Sequence, residues 1–179
     1  MLKITSDETL LDRQIRWLLE HDFSNIVLAS NRSFPESAHS TNPAVQTCLE
    51  RRKLGTGGAL KRAATLINAD QFYAMNVDDI VFYDPRKLFE YATNGAAILL
   101  AQPLLQFGKT TMQKDVVTRF EHRPTLDIWV NAGHYVFSKQ LVKEYFPDEG
   151  DFEQKAMQEI ASNKYLKGLK YKGDWLTVN

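Results

Sequence analysis

The sequence predicts an α/β fold, a mixed and mainly parallel sheet between two layers of helices, in one domain spanning residues 1–179. Three observations carry this. Strand-length apolar runs alternate with helical segments at intervals of about 25 to 30 residues through the first half, the rhythm of βαβ units. In the second half the strand-like runs crowd together, which makes the sheet mixed there. The chain shows no repeat, low-complexity stretch or linker, and 179 residues suit a single sizeable core.

The elements follow in order. In "DETLLDRQIRWLLEHD", Leu11, Ile15, Leu18 and Leu19 recur at helical spacing with polar residues between them. "NIVLAS" (25–30) is long enough for a buried strand and too short for a helix. Residues 31–43 read as a polar loop, and "AVQTCLE" (44–50) as a second strand. A helix is expected over about 59–68, with Leu60, Ala63, Ala64 and Ile67 on one side. "DQFYAMN" (70–76) is a strand that leads into "VDDIVFYD". Asp84 before Pro85 is a cap and first-turn pair opening a helix through "RKLFEYATN", which Gly95 ends. "AAILLAQ", "DVVTRFEHRP" and "IWVNAGHYVF" are strand-like. Ser138 and Asp151 stand where caps of two further helices are expected, and the alternation in "KYLKGLKYKGDWLTVN" fits edge strands.

Composition narrows the function. The formal net charge is zero, so neither nucleic acid nor an anionic membrane surface is implied as a partner. No apolar run approaches the roughly 20 residues that span a bilayer, and "MLKITSDET" has no signal-peptide core. The lone Cys48 can form no internal disulfide, which makes a reducing cytoplasm the default location; an apolar lone cysteine reads as a small core residue.

Candidate chemistry falls at strand ends, where open α/β sheets bind ligands. "LGTGGALKRA" packs Gly55, Gly57 and Gly58 into four positions. Such glycines serve a turn of positive φ or a backbone that approaches a base or phosphate. "NVDDIVFYD" places Asp78 and Asp79 after a strand, as turn or cap residues or as ligands of a Mg²⁺ that also touches phosphates. Arg123 in "FEHRP" is a surface arginine or a bidentate phosphate holder. Asn131 and Gly133 interrupt a strand-like run, the mark of a bulge or a close ligand approach. His21, His39 and His134 have no companion His or Cys at ligand spacing and read as structural.

Taken together these motifs resemble the sugar-phosphate nucleotidyltransferases, over essentially the whole chain. "LGTGGALKRA" is similar to the family's "LGTaGal", and "NVDDIVFYDPRKL" to "NGDilfdxDlxkl". "FGKTTMQKDVVTRFEHRP" is similar to "yGxvxxdxxgxVxxFxEKP". "VNAGHYVF" and "DFEQKAMQEIA" are similar to "xNaGiYvf" and "sFExdxlpxla". The resemblance implies a three-layer, Rossmann-like nucleotidyltransferase fold. It implies an enzyme that joins a nucleoside triphosphate to a sugar 1-phosphate, uses Mg²⁺ and releases pyrophosphate. By position, Glu50, Gly55, Thr56 and Gly57 would face the nucleotide, and Gly108, Asn131, Gly133 and Glu153 the sugar. Asp78 would hold the metal, and Arg123 would stand near the sugar phosphate in place of the usual lysine. Glu50 accepts hydrogen bonds only, and guanine offers adjacent N–H donors, so GTP is weakly favoured. The glycine form is closest in look to the guanylyltransferases acting on mannose or heptose phosphates.

Two departures shape the expectation. The family's first strand and its loop "GGxGTRLxPxTxxxPKPxlxi" have no counterpart beyond Met1-Leu2-Lys3-Ile4, so the chain is expected to be truncated and weakly active or inactive alone. At the other end, "GDWLTVN" offers Thr177 or Asn179 where the family has its second metal aspartate, and Asn179 could coordinate through its carbonyl. The alternative is a non-catalytic regulatory subunit that binds nucleotide or sugar phosphate, working with a companion chain or as a homo-oligomer. A related sugar-transferring enzyme ranks last, because "VDDI" is not a compact Asp-x-Asp motif.

Overall fold

The computed structural model describes residue 4 and residues 8–31 and 42–178. Met1–Lys3, His39, most of the 31–43 loop and Asn179 lie outside them, and with them the expectations attached to these residues.

The first helix, α1 (Leu10–Glu20), opens on a capping box. Thr9 accepts from the Asp12 amide and the Asp12 carboxylate accepts from the Thr9 amide. Strands β1 (Ile26–Ser30) and β2 (Val45–Leu49) pair in parallel. Helix α2 (Gly55–Ala63) then runs into a 3₁₀ turn, Ala64–Leu66. This differs from the expected 59–68: the three glycines form the first turn of the helix rather than a loop before it. Strand β3 (Gln71–Met75) is followed by a turn and by β4 (Asp79–Val81).

Asp84 caps as expected, accepting from the Arg86 amide ahead of Pro85. The helix expected beyond it is two 3₁₀ pieces, Pro85–Leu88 and Ala92–Asn94, and Gly95 closes the second at φ +106°. Strands β5 (Ala96–Ala101), β6 (Lys109–Gln113), β7 (Val116–Glu121) and β8 (Val130–Ser138) follow. Ser138 caps α3 (Lys139–Tyr145). Asp151 does not cap α4 (Ala156–Ser162), whose N-cap position is Lys155, because its carboxylate is turned to α2. β9 (Leu166–Lys170) and β10 (Trp175–Thr177) close the chain.

The central sheet has the order β3-β8-β5-β9. β8 runs antiparallel to both β3 and β5, and β9 runs parallel to β5, so three of its four strands point one way. Side chains alternate along these strands as a period of two requires. Phe72, Ala74, Ala96, Ile98, Tyr135 and Phe137 face a core closed by Leu141, Val142 and Phe146 of the α3 segment and by Ile160 of α4. Tyr73, Ala97, Leu99 and Val136 face a second core closed by Trp17 of α1 and by Leu88 and Ala92. Those two cores on opposite faces are the three-layer architecture. Cys48 is buried and free, as a core residue. β10 pairs with β4, and β6 with β7 as a separate hairpin. Among the described residues, no helix is long and apolar enough to cross a membrane.

Candidate active site

The glycines of α2 are explained by another stretch of the chain. The amides of Gly57 and Gly58 donate to the Gly150 carbonyl at 2.9 and 3.3 Å, and the Gly150 amide donates back to Leu54 at 2.7 Å. A Cβ on Gly58 would lie 2.4 Å from the Asp148 carbonyl oxygen, and one on Gly57 would lie 2.8 Å from Gly150 oxygen. Gly55 takes φ +76°. Residues 147–153 therefore strap onto the first turn of α2, whose amides would otherwise await an anion.

Side chains continue the strap. The Thr56 amide donates to Asp151 at 3.0 Å, and the Thr56 hydroxyl donates to Glu153 at 2.7 Å. Glu50 is buried and accepts from the Leu54 amide at 3.0 Å. Thr56, placed by sequence on the nucleotide side, and Glu153, placed on the sugar side, are thus in direct contact. Arg52 with Glu149 and Lys61 with Asp148 add two ion pairs.

The aspartate turn is built by burial. Asp78 lies in the turn between β3 and β4 and is partly exposed; no described residue bonds its carboxylate. Asp79, the next residue, is buried. Its carboxylate accepts from Asn76 Nδ2 and Trp175 Nε1, each at 3.0 Å. Burial raises the Asp79 pKa above the usual carboxylate range, and these donors pull it part of the way back. The Asp79 carbonyl accepts from Gln14 at 2.8 Å and from His134 Nε2 at 3.1 Å. A carbonyl only accepts, so His134 carries its proton on Nε2 and accepts at Nδ1 from Tyr73, 2.6 Å away. Tyr73 in turn meets Tyr83 at 2.9 Å. His134 is structural, and burial lowers its pKa to about 4.

The remaining expected residues divide into two groups. Asn131 donates to the Tyr135 hydroxyl at 2.6 Å and accepts from the Gly133 amide at 2.9 Å. Tyr135 is raised to about 12, first by burial, with the Glu153 and Asp79 carboxylates adding to the rise. Gly133, at φ +74°, faces Asp79. Gly108 sits against Phe120, and Arg123 is exposed and donates to Gln106 at 2.8 Å. These last two belong to the β6–β7 side of the molecule.

Thr56, Asn76, Asp78, Tyr135 and Phe152 line one cavity of about 560 Å³; Gly108 and Arg123 do not. No Lys or Arg is among its described lining residues. Sequence reasoning named Asp79 only as half of an adjacent acidic pair and missed Gln14, Asn76 and Trp175; Gln14 and Trp175 reach the turn from distant segments, and Asn76 bonds Asp79 from three residues before it.

Mg²⁺ binds through one or two carboxylates plus substrate phosphates. The Asp78 carboxylate, partly exposed and bonded to no described residue, fits that donor set, whereas Asp79 is already engaged. The described residues contain no group of three acidic, His or Cys side chains that could form a complete metal cage.

Comparison with known proteins bears on this geometry. No curated protein matches the chain. Among solved structures, HddC from Yersinia pseudotuberculosis superposes with a TM-score of 0.67 at 23% identity, covering 92% of this chain and 77% of that one. The same protein complexed with GMP-PN gives 0.68 at 23% identity, covering 97% and 82%. A putative glucose-1-phosphate thymidylyltransferase from Bacillus anthracis gives 0.65 at 16% identity, covering 94% and 76%. These likenesses show the fold. Residues 1–176 match the nucleotidyl transferase family. The chain belongs to the nucleotidyl transferase family.

Proposed function

We propose that the chain is a sugar-1-phosphate nucleotidyltransferase, with GTP as its preferred nucleotide. The observation that carries this is the meeting of Thr56 and Asp78 at one cavity, with Glu153 bonded to Thr56. Glu50, Gly55, Thr56 and Gly57 form the nucleotide side. Asn131, Gly133 and Glu153 form the sugar side; Gly108 and Arg123 are assigned to it by resemblance and lie by the hairpin, outside the cavity lining. The GMP-PN complex of one structural neighbour supports the guanine preference.

In the proposed reaction the sugar phosphate attacks the α-phosphorus in line and pyrophosphate leaves. The work is positioning and neutralisation of charge. Mg²⁺ held by Asp78 supplies positive charge to the phosphates when bound. Arg123 holds the sugar phosphate as a planar fork, where a lysine would be a point charge. The Thr56 hydroxyl orients Glu153, and Asn131 is oriented by Tyr135. Because no described Lys or Arg lines the cavity, the charge developing on pyrophosphate is poorly compensated, and turnover by residues 1–179 alone is slow.

Pyrophosphate release from GTP, UTP, CTP and dTTP with mannose, glucose or heptose 1-phosphate tests the reading. The expected result is turnover well below about 1 s⁻¹, highest with GTP. Release independent of any sugar phosphate would overturn it. A second reading, a non-catalytic regulatory subunit, rests on the same uncompensated charge and predicts Mg²⁺-dependent nucleotide binding with no release.

A further inference from the structure

Gln14 reaches the aspartate turn from α1. It is buried, at 3% exposure. Its side-chain amide nitrogen donates to the Val77 carbonyl at 3.0 Å and to the Asp79 carbonyl at 2.8 Å, across 63 and 65 residues of sequence. Those two residues flank Asp78. A side-chain amide nitrogen carries two N–H groups, and both are used here. The amide oxygen faces the other way and accepts from Arg13 Nη1 at 2.8 Å. Carbonyls only accept and a guanidinium only donates, so the partners themselves fix which way the amide points.

The rest of the turn is bonded as well. The Asp78 carbonyl accepts from the Val178 amide at 3.0 Å, and the Asp79 carbonyl takes a second bond, from His134. The Asp79 carboxylate is taken by Asn76 and Trp175. Each backbone carbonyl from Val77 to Asp79 therefore has a partner, and so does the Asp79 side chain. The Asp78 carboxylate is the acceptor of this turn that no described residue bonds, and it stands at the cavity. A carboxylate carried on a loose turn must be ordered as its ligand binds, and the entropy of that ordering is subtracted from affinity. Here the backbone that carries Asp78 is tied down beforehand, and among the described residues Gln14 is the side chain that ties it on both sides.

We propose that Gln14 is a positioning residue for Asp78: its amide fixes the turn so that the Asp78 carboxylate is presented to a metal–nucleotide complex at the cavity. The inference deepens the proposed function and rests on its assignment of Asp78 to Mg²⁺. Removing an outer group that orients a metal ligand typically weakens metal binding by about 10- to 100-fold. Arg13 supports the arrangement from the far side. Its guanidinium lies 5.3 Å from the centre of the Phe82 ring, just beyond β4, and its charge-assisted bond to the amide oxygen keeps the two N–H groups aimed at the turn.

Gln14→Met keeps the length of the side chain and removes both N–H groups. Two measurements on residues 1–179 test the proposal. Calorimetry gives the affinity for GTP with Mg²⁺, for this substitution alone and combined with Asp78→Asn. Hydrogen–deuterium exchange, without any ligand, compares the amides of β4 with those of β8. The expected results are a loss of about tenfold in affinity from Gln14→Met alone, no further loss when Asp78→Asn is already present, and exchange at β4 about tenfold faster relative to β8. Ile160→Val, a core change on α4, is expected to leave the affinity unchanged, which separates positioning from lost stability. Should Gln14→Met not fold, Gln14→Asn, a methylene short of spanning both carbonyls, gives the same reading. Unchanged affinity in Gln14→Met, an equal loss with and without Asp78→Asn, or exchange that rises alike in β4 and β8 would overturn the proposal alone. A native chain that binds no Mg²⁺–GTP, or an Asp78→Asn variant that binds it as tightly, would overturn the assignment of Asp78 beneath it.

Discussion

Gly133 makes room for Asp79: a Cβ at position 133 would fall 1.9 Å from Asp79 Oδ2. The backbone there is also left-handed, at φ +74°. The glycine thus lets β8 pass directly beside a buried carboxylate, and that carboxylate ties the start of β4 to Asn76 and Trp175.

Gly133→Ala is therefore expected to destabilise the protein by about 2 kcal/mol or more, from backbone strain plus displacement of Asp79. Urea unfolding measures it. In a double-mutant cycle with Asp79→Ala the two costs should be less than additive by about 1 kcal/mol, because removing the carboxylate removes the clash. Additive costs would mean that the clash is absent.

Much of the fold was legible in the sequence. The capping preferences at Asp84-Pro85 and Ser138 are local chemistry, and Cys48 sits in an apolar strand. The alternation of strands and helices follows from periods that a sequence displays directly. What was not legible depends on partners far along the chain. "GTGG" leaves both a turn and a ligand-facing backbone open, and nothing local shows that Gly150, 92 to 95 residues away, packs against it. Asp151 reads as a cap until Thr56 is seen to take its carboxylate. Likewise nothing local distinguishes Asp78, which faces the cavity, from Asp79, which faces Trp175 and Asn76.

The strap gives a prediction opposite in sign to helix propensity. Gly58 lies inside α2, where alanine is normally favoured by about 1 kcal/mol. Its Cβ would meet the Asp148 carbonyl oxygen at 2.4 Å, a backbone atom held by the strap. Gly58→Ala is expected to cost about 1–3 kcal/mol in chemical denaturation. A stabilised variant would show that residues 147–150 can move aside.

His134 links stability to pH. Its folded pKa is about 4 against an ordinary 6.5, because burial disfavours the charged ring. The unfolded chain therefore binds the extra proton between those values. Stability contributed by neutral His134 is present above about pH 6.5 and is lost as pH falls toward 4, on the order of 3 kcal/mol in all. Unfolding free energies between pH 7 and 4.5 check this. A protein equally stable across that range, or an imidazole that titrates near 6.5 by NMR, would contradict it.

Asp78 bears the central claim, that the cavity end beside Thr56 binds a metal–nucleotide complex. Calorimetric titration of residues 1–179 with GTP, with and without Mg²⁺, tests it most directly when repeated on Asp78→Asn. The account predicts saturable binding by the native chain only with Mg²⁺, and a loss of at least about tenfold in affinity in the variant. Binding that needs no Mg²⁺ and is equally strong in Asp78→Asn would contradict it.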